Sequence, residues 1–112
     1  MNEGQVVKAY IMQADGKYKN RPVVLIKKLP YFDDWLVCGI SSKIHTAHQG
    51  LDIVITQAHS DFMETELDYN FVIRTGWLYV FPESKIKEIL GKISLETLKI
   101  LYANLANFIL KK

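Results

Sequence analysis

The chain has 112 residues, 49% of them hydrophobic and 23% charged, which excludes a disordered chain and fits one ordinary domain with one core. Its formal net charge of +2 is too mild to mark a nucleic-acid binder by charge alone, because a DNA-coating domain concentrates a far larger excess of Lys and Arg. The single cysteine, Cys38, excludes an internal disulfide framework and a cysteine-based zinc site, and fits a reducing cytoplasm.

Met1 to Tyr10 carries Glu3, Gly4 and Gln5 where an export signal needs a basic start and a long apolar run. No apolar stretch approaches the roughly 20 residues that span a bilayer. A soluble, cytoplasmic protein with no membrane partner is expected. A domain of this size buries only roughly 60–70% of the surface its unfolded chain exposes, so a homodimer is expected as well.

In chain order, Gln5 to Met12 reads as a strand, with Val6, Val7, Tyr10 and Ile11 as strand formers and Gly4 before them. Gln13 to Asn20 is polar and centred on Asp15-Gly16, a loop between strands. Pro22 to Lys27 carries Val-Val-Leu-Ile, the pattern of a strand buried on both faces, and Pro22 at its first position costs no ladder bond. Trp35 to Ile40 reads as a third strand, and Ser41 to Gly50 as the longest loop. Leu51 to Ile55 and Phe71 to Arg74 are further short strands, joined by polar connectors around Ser60 to Phe62 and Glu64 to Asn70, and Trp77 to Phe81 reads as a last one.

The period then changes. Ile86, Ile89 and Leu90 recur at helical spacing within Ser84 to Gly91, which predicts a helix stopped by Gly91. Ser94 is placed as the N-cap of a second helix over Leu95 to Leu110. Its stripe comprises Leu95, Leu98, Leu101, Tyr102, Leu105, Phe108 and Ile109. Many short strands followed by helices predict a mainly β domain, a small barrel or sandwich with C-terminal helices, spanning 1–112 without a boundary.

Four signals in order resemble the MazF/PemK family of toxins of type II toxin-antitoxin systems. They are Gly4-Gln5-Val6-Val7, Asn20-Arg21-Pro22-Val23-Val24-Leu25-Ile26, Ser41-Ser42, and Phe71-Val72-Ile73-Arg74. Ile89 to Leu95 is also similar to the family's closing helix. The resemblance implies a dimeric SH3-like barrel that cuts single-stranded RNA without a metal or other cofactor and is neutralised by a cognate antitoxin. The sequence departs from the family at Gly76, where an acidic residue is frequent, and around Tyr10 and Met12.

Metal-free RNA cleavage uses the ribose 2′-hydroxyl as nucleophile. The protein must remove its proton, stabilise a crowded phosphorane and protonate the leaving oxygen. Arg21 matches the family's catalytic arginine, and a guanidinium binds phosphate oxygens bidentately at any working pH. The bland reading of Arg21 is an exposed arginine paired with a carboxylate such as Asp15. Ser41 matches a family threonine and offers a hydroxyl to a phosphate oxygen, or it simply ends a strand on local backbone.

His45 and His48 are the candidate acid and base beyond Ser41, because imidazole exchanges protons near neutrality. A metal site built on them lacks a good third ligand, Asp52 being a weak one. Ser42, Lys43, Arg74, Lys17 and Lys19 are candidate RNA-binding residues. Trp35, Trp77 and Tyr79 are assigned to the core or a dimer interface before base stacking. Two functions follow: an endoribonuclease toxin, and a toxin-fold binding module that has lost turnover or inhibits a protein target, which Gly76 and the sparse basic charge favour.

Overall fold

Val23 to Ile26 shows what organises the molecule, a computed structural model that describes residues 1–111. Successive side chains of a strand point to opposite faces. Val24 and Ile26 enter one apolar cluster with Val6, Cys38, Phe71, Ile73, Leu98 and Leu101, while Val23 and Leu25 enter another with Val7, Ala9, Trp35, Val37 and Phe81. All four are at most 2% exposed, so the strand is buried on both faces as its continuous apolar run predicts.

The strands are β1 (Gln5–Met12), β2 (Tyr18–Lys28), β3 (Asp34–Ser41), β4 (Ile53–Ile55), β5 (Phe71–Pro82) and β6 (Ile86–Lys92), followed by one helix, α1 (Leu95–Leu110). They form one antiparallel sheet in the order β4-β5-β3-β2-β1-β6, curled into a half-barrel. The mainly β class with a C-terminal helix stands as expected from the sequence.

Three boundaries differ from expectation. The helix predicted over Ser84 to Gly91 is instead a short 3-10 turn, Glu83–Lys85, and strand β6. Two register shifts in its pairing with β1 put Ile86 opposite Ala9, Ile89 opposite Val7 and Gly91 opposite Val6. Bulges break the period of two, which gives the strand a helix-like spacing of apolar residues. Gly91 is not a helix stop: a Cβ there would lie 2.2 Å from the Glu64 carbonyl oxygen, so the position admits no side chain. Ile89 to Leu95 is accordingly the end of β6, the two-residue link Ile93-Ser94 and the first residue of α1, not a closing helix.

Second, β2 starts at Tyr18, and the turn before it is only Gln13 to Lys17, closed by Gln13 and Lys17 and carried by Gly16 at φ 82°. Third, the two strands expected over Phe71 to Phe81 are one strand, β5, with a three-residue excursion. Gly39 pairs with Arg74 but its neighbour Cys38 pairs with Leu78, so Thr75, Gly76 and Trp77 bulge out of the ladder.

The helix α1 begins where the sequence places it. Ser94 Oγ accepts the Thr97 N–H at 3.1 Å, and Asp61 Oδ2 accepts both the Ser94 N–H at 2.9 Å and its hydroxyl at 3.1 Å. Leu98 and Leu101 are buried, and the Tyr102 hydroxyl donates to the Ile26 carbonyl at 2.6 Å. The apolar stripe is covered at Leu98, Leu101 and Tyr102, whereas Leu95 at the start and Phe108 and Ile109 near the end are 51–68% exposed.

Candidate functional site

The β5 excursion meets the start of β2 and the end of β3 at one cavity of about 160 Å³. Its lining includes Arg21 and Pro22 from β2, Gly39 to Ser41 from β3, Arg74 just before the bulge and Trp77 within it. Ile11 and Gln13 close it from the β1 end. Gly39 is what lets this wall form. A Cβ at residue 39 would lie 2.0 Å from the Trp77 ring, so only glycine allows the indole to lie on β3.

Arg74 is tied down by hydroxyls. Its Nη2 donates to Thr46 Oγ1 at 2.8 Å and reaches Ser41 Oγ at 3.5 Å, while Thr46 donates onward to the Lys43 carbonyl at 2.7 Å. Arg74 Nε and the Thr75 hydroxyl are buried with no partner among the described residues, polar capacity that is costly to leave unmet in a fold and that concentrates beside this cavity. Ser41 Oγ also accepts the Lys43 N–H at 3.1 Å, the local bond of a strand-end serine. That bond uses a lone pair and leaves the hydroxyl proton to donate.

Among the described residues, no carboxylate lies within 4.0 Å of Arg21 or Arg74. The pairing of Arg21 with Asp15 is not formed, because Asp15 instead accepts the Lys17 N–H at 2.9 Å. Two unneutralised guanidiniums and a free hydroxyl therefore face one small cavity, a geometry that suits a phosphate.

The other candidates are distributed more widely. Lys17 and Lys19 are exposed on the β1–β2 hairpin, with Lys19 on the same face of β2 as Arg21. Ser42 and Lys43 are exposed just beyond Ser41. His45 and His48 are exposed and do not line the cavity; His48 lies beside Asn107 and Phe108 of α1. Asp52 accepts the backbone N–H groups of His48 at 2.8 Å and Thr75 at 3.1 Å, clasping the β3–β4 loop to β5. Among the described residues no three of His, Cys, Asp and Glu gather closely enough to hold a metal. Cys38 is buried beneath the site, and burial, with the charge of Asp52 in support, pushes its thiol far up, so it is no nucleophile.

Gln13, Thr46 and Trp77 are the participants that sequence reasoning passed over or assigned to structure. Trp35 is buried as expected at 3% exposure, whereas Trp77 is 40% exposed. Their placement depends on the bulge and on a hydroxyl contact across 28 residues, neither of which has a local sequence signal.

A curled antiparallel sheet closed by one helix, with a cationic cavity at the β2–β3–β5 junction, defines a small β half-barrel protein. The chain belongs to the family of PemK-like, MazF-like toxins of type II toxin-antitoxin systems, whose profile matches residues 2–109. It is similar in structure to the Mycobacterium tuberculosis toxin MazF-mt6, at 15% identity and TM-score 0.71, covering 96% of this chain and 99% of that one. It is similar also to a mycobacterial endoribonuclease in complex with its cognate antitoxin, at 13% identity and TM-score 0.73, covering 100% and 97%. The MazE-MazF structure from Deinococcus radiodurans gives 14% identity and TM-score 0.69, again covering 100% and 97%. No curated protein matches the chain by sequence.

Proposed function

We propose that this chain, acting as one domain, is a metal-independent endoribonuclease of single-stranded RNA. The observation that carries the reading is the cavity shared by Arg21, Arg74 and Ser41 with no neutralising carboxylate among the described residues. In the reaction the 2′-oxygen attacks phosphorus as its proton leaves, the bond to the 5′-oxygen breaks, and that oxygen takes up a proton. The products are a 2′,3′-cyclic phosphate and a free 5′-hydroxyl. Arg21 and Arg74 hold the non-bridging oxygens as charge accumulates, and Ser41 donates to one of them. His45 and His48 are the proposed proton carriers, of which His45 is the better placed because it adjoins Thr46, the residue that anchors Arg74. Ser42, Lys43, Lys17 and Lys19 guide the strand.

The same reading includes a cytoplasmic homodimer and an antitoxin partner, the latter supported by the relatives solved as toxin-antitoxin complexes. Exposed apolar residues at Leu78, Val80 and Phe108 to Leu110 offer surface for either. The second reading, a toxin-fold binding module, draws on Gly76, at a position where the family frequently carries an acidic residue, and on the sparse basic charge.

The test is incubation of wild type and Arg21→Ala with a long single-stranded RNA in EDTA, with fragment ends mapped by primer extension. Site-specific cuts are expected from the wild type, and a loss of about 10²–10³ in rate from the variant. Intact RNA at high wild-type concentration would overturn the nuclease and leave the binding module.

A further inference from the structure

We infer that the single strand leaves the cleavage cavity over Trp77 and lies along a second groove, where Tyr18 and Tyr10 stack its flanking bases and Lys85 and Lys87 neutralise its phosphates. The inference rests on the nuclease reading and extends it to how the enzyme holds RNA beyond the cut.

The groove, of about 480 Å³, shares Ile11, Gln13 and Trp77 with the cavity as a common wall. It exists because β6 stops at Ile86 opposite Ala9, leaving the Tyr10–Met12 end of β1 uncovered on that edge. The Tyr79 hydroxyl fixes the far wall by donating to the Met12 carbonyl at 2.8 Å, and its ring meets Trp77 edge-to-face at 4.5 Å. Tyr10 and Tyr18, diagonal neighbours across the β1–β2 pair, stack on each other at 5.1 Å and 20°, and each is more than 40% exposed. The outer face of an exposed, stacked pair of rings offers an unpaired base a flat surface, and such stacking is indifferent to base identity.

Lys85 lies over Tyr18 at 5.6 Å and Lys87 over Tyr10 at 5.9 Å. An exposed cation–π contact is weaker than a base–aromatic stack, so a base displaces either ammonium, which then swings to the adjacent phosphate. Charge selects the occupant. Lys8, Lys27, Lys28 and Lys92 each have a carboxylate within 4.0 Å, whereas Lys17, Lys19, Lys85 and Lys87 have none among the described residues. Lys43, Lys99 and Lys111 are likewise unpaired among the described residues, but Lys17 and Lys19 on the hairpin and Lys85 and Lys87 beside the groove lie together around the two tyrosines, a complement to a polyanion and not to an apolar surface.

The experiment uses the full chain and a synthetic RNA carrying the mapped cut site, with a 2′-deoxy sugar at the attacking position so that binding is read without cleavage. Fluorescence anisotropy is measured for nested lengths at several salt concentrations, with thermal melts to confirm that each variant is folded. Tyr18→Leu is expected to weaken binding of the long RNA about tenfold, with Tyr18→Phe restoring it, and to change nothing for an RNA trimmed to the scissile dinucleotide. Lys85→Gln combined with Lys87→Gln is expected to lower the slope of log affinity against log salt by roughly 1.4, two phosphate contacts. Equal affinity of wild type and these variants for the long RNA, in a protein that does cut RNA, overturns this groove and leaves the nuclease intact. An equal loss on the trimmed RNA also overturns it. If the variants keep RNA but lose an acidic peptide, the groove serves a protein and the inference fails. A wild type that neither cuts nor binds RNA sinks the nuclease reading and the groove with it.

Discussion

Ser41 and Ser94 are the same residue used in opposite ways. Each accepts a backbone N–H at 3.1 Å, from Lys43 and Thr97 respectively. Ser94 then spends its proton on Asp61, whose carboxylate also takes the Ser94 N–H, and the junction between the Asp61 loop and α1 is left with little unmet polar capacity. Ser41 keeps its proton, beside an arginine whose Nε is unpartnered and another that has no carboxylate near it, both among the described residues. Saturated hydrogen bonding stabilises the fold, whereas capacity left open at a cavity mouth is available to a ligand.

The sharpest way to break that comparison is to find a residue that matters equally to both. Arg21→Ala should lose the 10²–10³ in cleavage rate given above while its stability in a denaturant melt stays within about 0.5 kcal/mol of wild type, since the side chain is exposed and has no ion-pair partner among the described residues. A comparable loss of stability would make Arg21 a structural residue. Gly39→Val should join the two regions, because its side chain drives into the Trp77 ring. We expect about 1–3 kcal/mol of destabilisation in a melt, a shift in tryptophan emission and loss of cleavage.

The two serines give the direct contrast. Ser94→Ala should cost about 1 kcal/mol of stability through the lost cap, with cleavage retained wherever the protein is folded, and Ser41→Ala the reverse, about tenfold in rate with an unchanged melt. Smallest is the response to acid. Burial raises the Asp61 carboxyl, but bonds from the Ser94 N–H, Thr97 and the Ser94 hydroxyl, with the charge of His59, outweigh it and hold the group below the usual carboxylate range. A depressed folded value means stability that is full above the unfolded value of about 4 and is lost as pH falls through the lower folded one. Urea melts from pH 7 to pH 3 should therefore show wild type losing stability below about pH 4, with a smaller change in Asp61→Asn.

The stable region was the more legible one. The strand Gln5 to Met12, the doubly buried Val23 to Ile26 and the Ser94 cap are legible because strand-forming residues, a continuous apolar run and capping are local signals. Strand β6 was misread because its apolar spacing is set by register shifts against β1, a partner some 80 residues away. Of the site, Arg21 and Ser41 came through the family resemblance, and the structure brings them to one cavity with Arg74. Thr46 and Trp77 were hidden, since one needs a loop folded onto β5 and the other needs Gly39 to be bare. Nothing in the order of residues announces either contact.

The excursion in β5 has a consequence for how this molecule can vary. Phe71 and Ile73 pack with α1, whereas Tyr79 and Phe81 pack on the opposite face, and between them Thr75 to Trp77 sit outside the ladder. One strand therefore behaves as two modules joined by a slack link. Changes of length in the link can be absorbed without forcing either half out of step, so the shape of the cavity mouth is insulated from the two cores that hold it.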